Sequence, residues 1–320
     1  MTLATAMTAP RTAFVFPGLN GAGHVDEQLP LLALPGFVAH WRLVGNALAE
    51  RPGFAAFDAA LHHGGELPQT TGAWPWRALA VTAMQLAAAE ALEQRGVRAD
   101  WLCGYSIGDL ARSCHAGAVS FAAIVAFAAK LPELPRAHGA TAAVIATSAA
   151  VADAVAGALA SHDLAASRLS KHFLMLAGAA HDIDAALRTC RDFAVRTQRL
   201  ANCPLHAPLQ HQLAAVLLAA AGTTRLARPR RAMFSTLWGR ATTAGDDLRA
   251  EFAANIRAPI DFAAAIAHLH ERHGVTRFID LGPGRHAARF VRHHGAGVEA
   301  ISASSLLGSE CGQSTQTRCA

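Results

Sequence analysis

Residues 101–110 read WLCGYSIGDL, a short apolar run that leads directly into a GxSxG motif. The apolar run is typical of a buried strand, and a helical pattern resumes at Asp109. Between them, Gly104 and Gly108 predict a sharp turn that presents Ser106 at a helix N-terminus. Free N–H groups and the helix dipole favour negative charge there. The pattern predicts a nucleophilic serine; the alternative is a chance match in a chain rich in Ala and Gly.

Away from this turn, the chain alternates apolar strands with helices. Residues 12–18 predict a first buried strand, and Trp74 to Gln94 predict a long, mostly buried helix. Residues 139–204 read as three strands and two helices, which suggests a βαββαβ-like insert with one strand pairing left open. A last buried strand is predicted at residues 276–281. This order predicts an α/β fold.

Composition restricts the class of protein. With 320 residues, 52% of them apolar and 16% charged, the chain can bury a large core. The net charge is +5, but the basic residues are scattered, so we expect no nucleic-acid partner. The six cysteines form no CxxC pair, which favours a reduced, cytoplasmic protein without a metal site. We also predict no secretory signal in residues 1–11 and no membrane span.

A serine nucleophile needs a base within hydrogen-bonding distance. Among the 17 histidines, His206 stands out because Pro204 and Pro208 restrict the backbone on both sides. It also directly follows the last strand of the predicted insert. On residue chemistry alone, an ordinary loop histidine remains the alternative.

Five motifs together resemble the malonyl-CoA:acyl-carrier-protein transacylase family and the acyltransferase domains of polyketide synthases. The resemblance runs from about residue 12 to about residue 291. The motifs are FVFPG at 14–18, GYSIGD at 104–109, CHAGAVSF at 114–121, PLHAPL at 204–209 and FIDLGPG at 278–284.

The resemblance implies two subdomains with the active site in the cleft between them. The large one is α/β-hydrolase-like with a parallel sheet and spans residues 12–131 and 205–300. Residues 132–204 would form a small, ferredoxin-like inserted subdomain. Residues 302–320 are rich in Ser, Gly, Gln and Thr and are predicted to form a loose, flexible tail.

The resemblance also implies a ping-pong acyltransferase without a bound cofactor. Ser106 would take the acyl group from acyl-CoA and pass it to the pantetheine thiol of an acyl carrier protein. His206 would act as general base and then as general acid, oriented partly by backbone carbonyls. The backbone N–H groups of Leu19 and Ile107 would form the oxyanion hole.

One departure from the family pattern concerns the acyl group. Malonyl-specific members carry an arginine that pairs with the free carboxylate, and its place falls on Leu131. Lys130 lies beside it, but one residue turns a helix by about 100°. Asn255 lies in a segment that resembles one near the catalytic histidine of polyketide acyltransferases. Lys130 and Asn255 are the candidate substrate contacts; for Asn255 the alternative is helix capping or a surface contact.

Other departures lie in the loop after the first strand. The family's FPGQGSQ reads here as FPG followed by Leu19, Asn20, Gly21 and Ala22, so a glutamine side chain is lost. Three functions stay open: transfer of malonyl or another short acyl group, hydrolysis that clears acyl groups from carrier proteins, and a non-catalytic scaffold. Transfer and hydrolysis differ only in whether a thiol or water reaches the acyl-serine ester.

Overall fold

The structure is a computed structural model. It describes residues 10–19, 25–63, 73–131, 137–201 and 204–308. Ten strands occur in these ranges: β1 Arg11–Phe16, β2 Trp101–Gly104, β3 Ala140–Ala146, β4 Leu164–Ser170, β5 Phe173–Gly178, β6 Val195–Ala201, β7 Met233–Ser235, β8 Arg240–Ala241, β9 Val275–Asp280 and β10 Glu299–Ser302.

The helices of the described ranges cover both sheets formed by these strands. They are α1 Val25–Leu32, α2 Pro35–Leu48, α3 Phe54–His62, α4 Trp74–Gln94, α5 Gly108–His115, α6 Phe121–Lys130, α7 Ala149–Leu159, α8 Ala180–Thr189, α9 His211–Ala221, α10 Leu248–Arg257, α11 Phe262–His273, α12 His286–Arg292 and α13 Ala303–Gly308. Short 3-10 turns at Cys190–Asp192 and Pro208–Gln210 follow α8 and precede α9. The helix predicted over Trp74–Gln94 has those bounds in the structure.

The large sheet has the order β10-β9-β1-β2-β7-β8 and is parallel except for the β7–β8 pair. Strand β1 lies at its centre and is buried on both faces. Phe14 and Phe16 pack into one apolar cluster with α2 and α4, whereas Ala13 and Val15 pack into a second cluster with α11 and α12. This alternation explains why β1 reads as a continuous apolar run.

The small sheet has the order β4-β5-β3-β6, and every pair in it is antiparallel. Helices α7 and α8 cover it, so residues 140–201 follow the βαββαβ order of a ferredoxin-like unit. The predicted fold class is therefore confirmed. The pairing that the sequence left open is resolved by β4, in whose stretch LAASRLS polar residues interrupt the apolar ones.

The insert docks on the large subdomain through β4. The Arg168 N–H donates to the Ile260 carbonyl at 2.8 Å, and the Ile260 N–H donates to Ser167 Oγ at 3.0 Å. Leu169 and Met175 join the apolar cluster that contains Tyr105. The small sheet thus contacts the large subdomain next to the turn that carries Ser106.

The prediction of a loose tail from Ser302 is wrong over its first part. Ser302 ends strand β10, which pairs with β9, and residues 303–308 form α13. Ala303 and Leu307 are buried in the same cluster as α4, so apolar burial fixes this segment. Residues 309–320 lie outside the described ranges.

Within the described ranges, no helix combines the length and the apolar character that crossing a membrane requires.

Candidate active site

Ser106 lies on the turn between β2 and α5, with a positive backbone φ of 58°. Non-glycine residues seldom adopt this conformation, and such strain clusters at active sites. The turn packs tightly against neighbouring segments of the same chain. A Cβ on Gly108 would lie 1.8 Å from the Phe16 carbonyl oxygen, and a Cβ on Gly18 would lie 2.8 Å from Ser106 Cβ. These two positions must be glycine for the chain segments to approach this closely.

His206 reaches Ser106 from the loop that follows the small sheet. Its Nε2 lies 2.9 Å from Ser106 Oγ, and its Nδ1 lies 2.6 Å from the carbonyl oxygen of Asn255. A carbonyl oxygen only accepts hydrogen bonds, so the proton of a neutral imidazole is on Nδ1 and Nε2 is the acceptor for the serine hydroxyl. The structure thus brings together the two residues that the sequence selected.

The end of α10 holds the imidazole in place. The His206 backbone N–H donates to the Ile256 carbonyl at 2.8 Å, next to the Asn255 carbonyl that holds Nδ1. The last carbonyls of a helix have no partner within it, and they carry the negative end of its dipole. The Asn255 carbonyl therefore takes the place of the aspartate in a serine–histidine–aspartate triad, while the Ile256 carbonyl fixes the backbone of His206.

The charge state of His206 suits a base. The side chain is buried, and burial lowers the pKa of His206 from 6.5 to about 4. Desolvation disfavours the imidazolium, while the hydrogen bond to Asn255 opposes the shift. The imidazole is therefore neutral near pH 7, with a free lone pair on Nε2.

Backbone N–H groups are available beside Ser106. The N–H groups of Gly108 and Asp109 are used within the turn, but Ile107 N–H donates to no residue in the described ranges. On the facing loop, the buried Gln85 holds the Pro17 carbonyl at 2.6 Å, two residues before Leu19. Asn20, Gly21 and Ala22 lie outside the described ranges.

Position 131, where malonyl-specific family members carry the arginine that pairs with the malonyl carboxylate, is in apolar surroundings. Leu131, directly after α6, packs in a cluster with Ile107, Leu213 and Phe252. It also lines a cavity beside Ile107, and Lys130 does not line that cavity. The structure therefore does not bring Lys130 into the space that adjoins Ile107.

Asn255 lies at the site, where its side-chain nitrogen contacts another protein residue. The side chain is buried, and its Nδ2 donates to Asp109 Oδ2 at 2.6 Å while its carbonyl holds His206. Its side-chain Oδ1 makes no hydrogen bond within the described ranges. The substrate contact of Asn255 therefore stays a prediction, while its buried bond to Asp109 is neither helix capping nor a surface contact.

A buried charged cluster that the sequence motifs did not reveal lies beneath the site. Arg112 Nη2 donates to Glu251 Oε2 at 2.6 Å, and Nη1 donates to the Phe234 carbonyl at 2.7 Å. Asp109 and Arg112 are three residues apart on α5, and Glu251 is four residues before Asn255 on α10. This helical spacing of polar residues was the available signal, although it does not reveal which helices face each other.

No group of three His, Cys, Asp or Glu side chains in the described ranges is arranged to hold a metal ion.

The profile of the family described as "Acyl transferase domain" matches residues 13–311. A phenolphthiocerol synthesis polyketide synthase type I from Mycobacterium marinum is 26% identical over 310 residues, which cover 92% of this chain and 14% of that protein. A mycoketide-CoA synthase from Mycobacterium tuberculosis is 28% identical over 283 residues, or 87% of this chain and 7% of that protein. The chain thus spans only a small part of the length of these relatives.

Solved structures share the fold. The acyltransferase domain from the second module of the salinomycin polyketide synthase is 27% identical with a TM-score of 0.73, covering 92% of this chain and 68% of that one. A malonyl CoA-acyl carrier protein transacylase from Clostridium perfringens is 17% identical with a TM-score of 0.77, covering 96% and 98%. With its elbow serine facing a buried histidine and a matching profile over most of its length, this chain belongs to the acyl transferase domain family.

Proposed function

We propose that this protein transfers an acyl group from acyl-CoA to the phosphopantetheine thiol of an acyl carrier protein through an ester on Ser106. The observation that carries the proposal is the line of contacts from Ser106 Oγ to His206 Nε2 and from His206 Nδ1 to the Asn255 carbonyl. It supplies a nucleophile, a neutral base and an orienting acceptor, the three parts that covalent acyl transfer needs. Family membership supports the same reaction class.

The first half-reaction forms the ester. Ser106 Oγ attacks the thioester carbonyl carbon while His206 Nε2 takes the hydroxyl proton. Negative charge on the carbonyl oxygen is stabilised by the free N–H of Ile107 and, in this proposal, by the N–H of Leu19. The C–S bond then breaks, and His206 returns the proton to the sulfur of CoA. In the second half-reaction the carrier thiol gives its proton to His206, and its sulfur attacks the ester carbonyl carbon. The bond from this carbon to Ser106 Oγ then breaks, and His206 returns the proton to Oγ.

Intact-protein mass spectrometry tests this function directly. We expect acetyl-CoA to add one acetyl group to the protein, peptide mapping to place it on Ser106, and holo carrier protein to remove it with a matching gain in its own mass. Decay of the adduct to free acid, with the carrier left bare, would establish a hydrolase instead. Absence of any adduct with acetyl-CoA, malonyl-CoA or butyryl-CoA would establish a non-catalytic scaffold.

The apolar place of Leu131 leads us to propose an uncharged acyl group rather than malonyl. A carboxylate beside Ile107 would lose water without gaining a cationic partner, which is costly. We therefore expect Leu131→Arg to raise the ratio of malonyl to acetyl transfer by about 10- to 100-fold, because a charge-assisted bidentate pair would form only with malonyl. Rates of adduct formation with each CoA ester give the ratio.

Leu131→Met is the matched control, since it keeps an apolar side chain of similar volume. An unchanged ratio in folded Leu131→Arg protein would contradict the proposed acyl preference, as would an equal rise in Leu131→Met. A wild-type preference for malonyl-CoA over acetyl-CoA would contradict it as well.

A further inference from the structure

Two rungs of buried polar contacts join the nucleophile helix α5 to α10. Asn255 Nδ2 donates to Asp109 Oδ2 at 2.6 Å, and Arg112 Nη2 donates to Glu251 Oε2 at the same distance. The partners lie at positions 109 and 112 on α5 and at 255 and 251 on α10, so the two helices meet in antiparallel register. Helix α5 follows the turn that carries Ser106, and the last turn of α10 holds His206.

The contact between Asn255 and Asp109 is continuous with the catalytic contacts. The Asn255 side chain is fixed by Asp109, and the carbonyl of the same residue accepts the His206 Nδ1 proton at 2.6 Å. Asn255 lies in the last turn of α10, where its carbonyl has no helical partner to hold it in direction. Fixing the side chain therefore restricts the direction of the carbonyl and, through it, the plane of the imidazole.

The contact between Arg112 and Glu251 is hard to explain by stabilisation of the fold alone. Arg112 is fully buried, and Glu251 is 1% exposed. Removing both charges from water is costly, and buried pairs often contribute little net stability. Arg112 also donates to the Phe234 carbonyl and lies 3.4 Å from Asp109 Oδ1. It thereby fixes α5, α10 and β7 relative to one another, directly below Asp109.

We infer that Asp109 and Asn255 are positioning residues that set the orientation of His206 toward Ser106, with the Arg112–Glu251 pair holding Asp109 in place. This inference rests on the proposed function only insofar as His206 activates Ser106. It does not depend on which acyl group is moved or on what accepts it.

A reciprocal exchange of the two side chains tests the inference. Asn255→Asp removes the donor and places two carboxylates face to face, so we expect labelling of Ser106 by a fluorophosphonate probe to slow by about 10- to 100-fold. The double variant Asp109→Asn/Asn255→Asp restores one donor facing one acceptor and should recover most of the lost rate. A surface change, Asp153→Asn, is the matched control and should label like wild type, since Asp153 is exposed and forms a surface ion pair with Arg168.

A second readout separates positioning from stability. In spectra of protein with nitrogen-15-labelled histidine, wild type should show a His206 imidazole protonated at Nδ1, Asn255→Asp should shift or lose that signal, and the exchanged pair should restore it. Wild-type labelling rates in folded Asn255→Asp protein, or a double variant no faster than the single one, would overturn the inference. Probe labelling without acyl transfer to a carrier would refute the proposed function and leave this inference intact.

Discussion

Ser106→Ala, His206→Ala and the double variant are expected to lose acyl transfer by the same factor, about 10⁶-fold. The two side chains share one proton across the 2.9 Å contact, so a serine without its base and a base without its serine are equally ineffective. The residual rate should come from binding and the backbone N–H groups alone. The measurement is the rate of acyl transfer from acetyl-CoA to holo carrier protein.

Removal of an exposed histidine, His211→Ala, is the matched control and should leave the rate unchanged. The wild-type rate should also fall as the pH drops through about 4, where His206 takes a proton and no longer accepts one from Ser106. The residual rate of His206→Ala should lack this acid limb. A double variant much slower than either single variant would show that the two residues act independently and would contradict the proposed mechanism.

Local sequence patterns predict those elements of the fold whose structure depends on residues close to one another in the chain. Strand β1 and helix α4 could be predicted because a buried strand and a buried helix each need a run of apolar residues. The turn at Ser106 could be predicted because close approach of backbone requires glycine on both sides. The role of His206 could not be predicted from its neighbours alone, because a histidine in a loop between two prolines can have many roles. A family motif or a structure is needed to place it beside a serine.

The features that the sequence did not predict depend on contacts between residues that are far apart in the chain. Arg112 and Glu251 are 139 positions apart, and nothing near either residue indicates that the other will neutralise it. In strand β4, Ser167 and Arg168 interrupt the apolar residues, and the strand is positioned by pairing with β5. The last residue of β10 and the whole of α13 lie at the start of the Ser-rich stretch from residue 302, and pairing with β9 and packing against α4 help to fix them. Composition alone therefore predicted a tail where the structure has the last residue of a strand and a helix.

Gly108→Ala is expected to prevent folding or to lower the free energy of unfolding by more than about 4 kcal/mol. The new Cβ would lie 1.8 Å from the Phe16 carbonyl oxygen, 2.5 Å from its carbon and 2.8 Å from the Pro17 carbonyl oxygen. All three atoms are backbone at the end of the central strand β1, so no side chain can turn away to make room. Urea unfolding followed by circular dichroism measures the change.

Gly157→Ala separates this clash from a general effect of replacing glycine in a helix. Gly157 lies within α7, and a Cβ there would meet nothing within 4 Å. Alanine should therefore stabilise the protein by about 0.5–1 kcal/mol, because glycine costs a helix that much in conformational entropy. The two substitutions add the same methyl group with opposite expected signs. A Gly108→Ala protein that is as stable as wild type would mean that α5 can move away from β1, and the fixed position of Ser106 would lose its structural basis.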